Sequence, residues 1–148
     1  MGDVLKYDDE FFMKKAFDEA KKAEALDEVP IGAVIVSNNR IIARAHNLTE
    51  TLNDVTAHAE MQAITAAAEA LGGKYLKNCT IYVTMEPCQM CAGALYWSQI
   101  DKVVYASADE KRGYLAMGAK LHPKTKVSYG VLEYQCSELV KGFFRKKR

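Results

Sequence analysis

The sequence predicts an α/β fold: a three-layer α/β/α sandwich in which a mixed sheet carries helices on both faces. Three observations point there. Two apolar runs, IGAVIV (31–36) and RIIARA (40–45), flank the turn-forming Ser37-Asn38-Asn39, the pattern of an antiparallel hairpin. Two further strand-like runs, TIYVT (80–84) and KVVYA (102–106), are separated by a helical stretch, a crossover that makes neighbouring strands parallel. Helical segments also precede and follow these strands, enough to cover both faces.

Each element has its own signal. In residues 8–25, Phe11, Phe12, Ala16, Phe17, Ala20 and Ala23 recur at helical spacing behind Asp8-Asp9, which suit a helix start. Residues 31–36 form an unbroken apolar run of strand length, and 40–45 return beside it. Residues 58–71 are Ala-rich and free of Pro and Gly until Gly72-Gly73, a helix with a stop signal. Residues 80–84 are β-branched and strand-like. Pro87 stands just outside a short helix over 88–97, and 102–106 is the next strand. Residues 107–124 show no clear period. Residues 126–130 read as a last strand and 131–147 as an amphipathic closing helix. The chain has 148 residues, 49% of them hydrophobic, which suits one packed core. With no repeat, low-complexity tract or Pro/Ser-rich linker, a single domain over 1–148 is expected.

Composition excludes some functions. Twenty Lys and Arg against nineteen Asp and Glu leave a net charge of +1, so no global field draws the chain to nucleic acid or membrane. The ending Arg145-Lys146-Lys147-Arg148 is nevertheless locally basic. No stretch approaches the length of a membrane span. The start, MGDVLKYDDEFF, has no basic region followed by an apolar one, so no signal peptide is expected. Four cysteines do not suggest a disulfide framework. The expected location is a reducing cytoplasm, where thiols are free to bind metal.

Two tight clusters carry the chemistry: His58-Ala59-Glu60 and Glu86-Pro87-Cys88-Gln89-Met90-Cys91. A C-x-x-C spacing alone fits a redox dithiol, half of a structural zinc site, or part of a catalytic one. Both clusters fall at helix starts. Cys88 and Cys91, three apart, share a helix face. His58 and Glu60, two apart, diverge on a helix flank but can converge on a point beyond its end. The expected site is therefore where two helix N-termini meet, and their partial positive charge favours thiolates. His58, Cys88 and Cys91 make a soft N/S set that suits zinc, and three ligands leave the fourth position to water, the catalytic pattern. Zinc lowers the pKa of water toward ~7. Glu60 is placed to take the proton and pass it to a leaving group. That combination suits hydrolysis at an sp² carbon bearing an amine, a deamination. A redox dithiol needs no His-x-Glu. A closed zinc site would recruit a fourth ligand from Cys79, Cys136, His46 or His122, although Cys79 and Cys136 read as small apolar fillers.

His58-Ala59-Glu60 with Pro87-Cys88-x-x-Cys91 resembles the H-x-E…P-C-x-x-C signature of the zinc-dependent cytidine and nucleobase deaminases. The resemblance covers nearly the whole chain and, within that superfamily, is to the bacterial tRNA adenosine deaminases. It is carried by EVPIGAVIV (28–36), HN (46–47), TAHAEMQAI (56–64), VTMEPCQMCAGAL (83–95), ADEKRG (108–113), GVLEYQC (130–136) and FFRKKR (143–148). It implies a cytidine deaminase-like fold with a mixed five-stranded sheet, one Zn²⁺ per subunit, and a homodimer whose RNA site draws on both subunits. The implied partner is a tRNA anticodon stem-loop, in which adenosine at the wobble position (34) becomes inosine. The base is splayed into the pocket and attacked at C6 by an activated water, and Glu60 relays the proton to N1 and then to the departing ammonia.

The resemblance also implies roles outside the zinc site. Asn47 would hydrogen-bond the target base or its ribose, and Asp109 would sit in the loop over the pocket. Val29, Pro30 and Ile31 would shape that pocket. Phe144 and Arg145 would touch the anticodon loop, and Lys111, Arg112 and Lys146 would meet phosphates. Each has a plainer reading: Asn47 as a turn residue, Asp109 as a solvated loop charge, Val29, Pro30 and Ile31 as core, Phe144 as a core-facing aromatic. Two stretches depart from the pattern of the tRNA enzymes. Tyr96-Trp97 is like a pair found in guanine deaminases of the superfamily, and ADEKRGYLAMGAKLHP replaces a loop richer in alanine and glycine. A guanine or other free nucleobase or nucleoside deaminase is thus the second reading. A non-catalytic, zinc-stabilised RNA-binding module is the third, and Glu60 argues against it.

Overall fold

In the computed structural model, which describes residues 7–148, Asn38 and Asn39 both take positive φ, 51° and 60°. Two such residues make the hairpin turn whose twist matches that of the strands it joins. β1 (Gly32–Ser37) and β2 (Arg40–His46) therefore pair antiparallel and close at Ser37 opposite Arg40. β3 (Cys79–Met85) lies antiparallel on the other side of β1. β4 (Lys102–Ser107) and β5 (Lys126–Tyr129) continue the sheet in parallel. The order is β2-β1-β3-β4-β5, the expected mixed five-stranded sheet. The first six residues, which carry part of the expectation about a leader, lie outside the described residues.

Among the described residues four helices cover it: α1 (Asp9–Ala25), α2 (Ala59–Leu71), α3 (Gln89–Ser98) and α4 (Glu133–Lys146). Asp8 caps α1, its Oδ1 accepting the Phe11 N–H at 2.9 Å. The central strands are apolar at nearly every position because both faces are buried. Ala33, Ile35, Ile81, Val83, Val103 and Tyr105 face α2 and α3, together with Ala59, Ala63, Ala67 and Leu95. Val34, Val36, Tyr82, Val104 and Ala106 face the opposite layer, where Phe12, Met13 and Ala16 of α1 meet Cys136 of α4. Gly32 lets α1 approach closely, since a Cβ there would land on the Ala16 carbonyl oxygen and the Ala20 nitrogen. Among the described residues no helix is long and apolar enough to cross a membrane.

Strand direction decides where a site can form. β3 and β4 run parallel, so Met85 and Ser107 end side by side. β1 runs the other way, so its first residue stands at that same end, where the Gly32 N–H donates to Thr84 Oγ1 at 3.1 Å. The last residue of β2, His46, pairs with Gly32. Four connecting segments thus meet at one end of the sheet: 26–31, 47–58, 86–88 and the first part of 108–125, which then crosses to the other end, where β5 starts. In α/β sheets this end, past the carboxyl ends of the parallel strands, is where ligands bind.

Candidate active site

His58 and Cys88 occupy equivalent positions. Each is the N-cap residue of its helix, α2 or α3, with extended backbone, and neither side chain caps its own helix. Both side chains are left to point off the helix end, and Cys91 joins them from the first turn of α3. His58 Nδ1 stands 3.6 Å from Cys88 Sγ and 3.5 Å from Cys91 Sγ, and all three donor atoms lie within 4.8 Å of one another. A tetrahedral zinc ion, at about 2.3 Å from sulfur and about 2.0–2.1 Å from nitrogen, sets S···N edges of about 3.5–3.6 Å. The three residues therefore fit zinc as they stand. Among the described residues no further His, Cys, Asp or Glu joins the group. Cys79 and Cys136 are buried in the packing, as small apolar fillers are.

The charges in this cluster are interdependent. A hydrogen bond with Cys91 is the main cause that pulls the Cys88 thiol down to about 4, with help from His58. The same bond, burial and the nearby Glu60 push the Cys91 thiol upward. His58 is raised by its hydrogen bond with Cys88, against the effect of burial. Glu60, in the first turn of α2, is buried. Burial first, then the negative charge of Cys88, lifts its carboxyl to about 7. A carboxyl that titrates near neutrality can both accept and return a proton.

Around this centre the structure brings some sequence candidates together. Asn47 is buried and ties two segments: its Nδ2 donates to the Val29 carbonyl and its Oδ1 accepts from the Thr49 N–H, both at 3.4 Å. Val29 is half-buried and Pro30 buried in the strand-entry segment. Asp109 is half-buried, and its Oδ1 accepts the N–H groups of Lys111 (3.1 Å) and Arg112 (2.9 Å) in a tight turn with both side chains exposed.

Phe144 and Arg145 lie elsewhere, on α4, which packs on the face opposite α2 and α3. Phe143 takes the core position and Phe144 is exposed. The exposed Arg145 sits 3.7 Å from Glu138. Lys147 Nζ reaches Asp27 Oδ2 at 2.6 Å, which brings the last turn of α4 to the same end of the sheet as segment 26–31. Tyr96-Trp97 lies in the last turn of α3, away from the ligand end, with Trp97 exposed and Tyr96 beside His122.

Three residues that frame the site were not singled out from the sequence. Glu28 is fully buried and accepts from the Thr51 N–H and hydroxyl, both at 2.6 Å, and from the Glu50 N–H at 3.1 Å. Glu86, also buried, accepts from the N–H groups of Asp109 and Leu115. Gln62 Nε2 donates to the carbonyls of His46 (2.8 Å) and Ala57 (3.1 Å), tying the start of α2 to the end of β2. All three lie inside stretches quoted for the resemblance, but their partners are loop backbone groups with no sequence signal of their own.

A mixed five-stranded sheet with a His/Cys/Cys zinc group at two helix N-termini, and a buried glutamate beside it, defines a zinc-dependent deaminase of the cytidine deaminase-like fold. The zinc-binding region of the cytidine and deoxycytidylate deaminases matches residues 6–107. A tRNA-specific adenosine deaminase of Bacillus subtilis is 49% identical over 146 residues, 95% of this chain and 91% of the relative. A solved structure from work on A-to-I editing by tRNA:A34 deaminases at the wobble position superposes with a TM-score of 0.82 at 42% identity, covering 87% of this chain and 98% of that one. A guanine deaminase structure from Bacillus subtilis superposes at 0.65 with 40% identity, covering 74% and 67%. The chain belongs to the tRNA-specific adenosine deaminase family.

Proposed function

We propose that this protein hydrolyses the exocyclic amine of adenosine at the wobble position (34) of a tRNA anticodon, giving inosine and ammonia. The observation that carries the chemistry is the three-donor group of His58, Cys88 and Cys91 beside the buried Glu60. Likeness to tRNA-specific adenosine deaminases along almost the whole chain supports the substrate. Zinc, held by these three side chains, supplies the Lewis acidity that makes water a nucleophile near neutral pH. Glu60, buried beside the three donors, takes one proton of the attacking water and gives it to N1 of the purine, then carries the second, from the C6 hydroxyl, to the amine, which leaves as ammonia. One C6–O bond forms and one C6–N bond breaks. The N-termini of α2 and α3 favour the negative charge that develops.

The remaining roles follow the same proposal. Asn47, Val29 and Pro30 receive the splayed base. Asp109 meets the nucleotide from the opposite loop, and Phe144 and Arg145 contact the anticodon stem-loop from the end of α4. A homodimer belongs to the same proposal. Residues 1–148 act as one domain, in the cytoplasm, where tRNA is found. One observation favours a second reading, free guanine as substrate: the 40% identity to a guanine deaminase over 74% of the chain.

Glu60→Gln tests the catalytic assignment. The variant is expected to keep zinc and RNA affinity while inosine formation in an anticodon stem-loop falls by about 10²-fold or more. Undiminished inosine formation would remove Glu60 from the proton relay. Wild-type protein that binds the RNA and makes no inosine would favour a non-catalytic binding module.

A further inference from the structure

We propose that Glu86 is a positioning residue for substrate binding: its buried carboxylate fixes the loop that carries Asp109, Lys111 and Arg112 to the segment that carries the zinc ligand Cys88. The backbone of this loop can be accounted for almost group by group. The Asp109 N–H donates to Glu86 Oε1 at 3.0 Å. The Lys111 and Arg112 N–H groups donate to Asp109 Oδ1. The Gly113 N–H donates to the Asp109 carbonyl at 2.9 Å, and the Tyr114 N–H to the Pro87 carbonyl at 2.8 Å. The Leu115 N–H closes the loop on Glu86 Oε2 at 3.1 Å. One carboxylate thus holds both ends of the turn, one oxygen to each.

Two further features show that the carboxylate is built in. Gly113 is packed so tightly against Glu86 that a Cβ there would fall on all three carboxylate atoms. Gly113 also bridges to Cys88, and the Glu86 N–H donates to the Ser107 carbonyl at 2.8 Å. Glu86 is therefore joined to the loop by its side chain and, two residues along the chain, to the zinc group by its backbone. A shift of the carboxylate moves Asp109 and the two exposed cations relative to the reacting centre. The ligand such a turn would meet is a nucleotide with its phosphates, for which Lys111 and Arg112 supply charge and Asp109 a hydrogen-bond acceptor. The assignment rests on Asp109 being a substrate contact, as in the proposed function.

The test is a double-mutant cycle on zinc-loaded protein with an anticodon stem-loop bearing adenosine at the wobble position. kcat and KM are measured for wild type, E86Q, D109A and the double variant, along with zinc content and hydrogen exchange at the Asp109 and Leu115 amides. E86Q is expected to keep its zinc, to speed exchange at those amides by about tenfold or more, and to raise KM by about tenfold with a smaller change in kcat. The double variant should be no worse than D109A, because Glu86 acts through the loop that Asp109 anchors. Multiplying effects of E86Q and D109A, or unchanged exchange at both amides, would overturn the positioning role alone. An unchanged KM in D109A would instead sink the reading of Asp109 as a substrate contact, and the proposal with it. Should E86Q yield no folded protein, G113A is read by the same criteria, since it keeps Glu86 but drives a methyl group into its carboxylate.

Discussion

Replacing Glu28 by glutamine tests how the loop after Asn47 is held to the strand-entry segment. Glu28 has no solvent exposure and spends both oxygens on the loop that follows Asn47. Oε2 takes the Thr51 N–H and hydroxyl, and Oε1 takes the Glu50 N–H at 3.1 Å and, more distantly, the Thr49 hydroxyl at 3.5 Å. Glutamine fits the same space but offers one acceptor oxygen. Its amide nitrogen is left facing the Glu50 N–H, donor against donor. A buried unsatisfied donor costs about 1–3 kcal/mol, and loss of charge from the surviving bonds adds about 1 kcal/mol. The expected loss is about 2–4 kcal/mol, or a fall in Tm of about 5–15 °C for a chain of this size.

The pH dependence has a defined sign. Burial pushes the Glu28 carboxyl up, but the hydrogen bonds from Thr51, then Glu50 and Thr49, outweigh it and hold the group below its ordinary 4.5. A folded-state pKa below the unfolded one adds stability that is complete above about 4.5 and is lost as pH falls through the folded value. The Tm gap between wild type and E28Q should therefore be widest near pH 7 and should narrow below about pH 4.5. Glu19, also lowered despite burial by its bonds to Lys22 and His46, is common to both proteins and cancels in the difference. Thermal melts of both proteins across pH provide the assay. A gap under about 1 °C at neutral pH, or one that widens in acid, would refute the reasoning.

Two other perturbations separate the metal from the RNA. Cys88→Ala should lose the metal and lower Tm, because part of the binding energy of such a group is folding energy; metal analysis showing one zinc per chain would contradict the ligand set. Removal of residues 145–148, which spares the buried Phe143, should weaken stem-loop binding and leave zinc content unchanged, with a shallower salt dependence as cationic side chains are lost. Unchanged affinity after truncation would assign the basic ending to solubility alone.

Much of this molecule is legible in its sequence, for identifiable reasons. The central strands are buried on both faces, so they appear as unbroken apolar runs, and Asn38-Asn39 declares the hairpin because few other residues tolerate positive φ twice in succession. His58, Cys88 and Cys91 are legible because metal ligation restricts residue type and because helix starts are marked by Pro87 and by the Ala-rich run after His58. The clamps Glu28 and Glu86 were not legible: their partners are backbone N–H groups, which every residue carries, and only the folded loops reveal which need an acceptor. Residues 107–124 show no period because they are organised by those hydrogen bonds and not by a repeating face. Whether Phe144 faces the core waited on the register of α4, where Cys136 and Phe143, seven apart, share the buried side and leave Phe144 exposed. Tyr96-Trp97 argued from sequence for a different substrate, yet it sits at the end of α3 remote from the ligands.

The substrate is the centre of this account, and one measurement addresses it directly. Zinc-loaded protein is given an anticodon stem-loop with adenosine at the wobble position in one tube and free guanine in another, and inosine and ammonia are measured in both. Inosine is expected in the RNA, with ammonia released alongside it, and no ammonia from guanine. Ammonia from guanine with no inosine in the RNA would contradict the substrate while leaving the zinc group and Glu60 in their places.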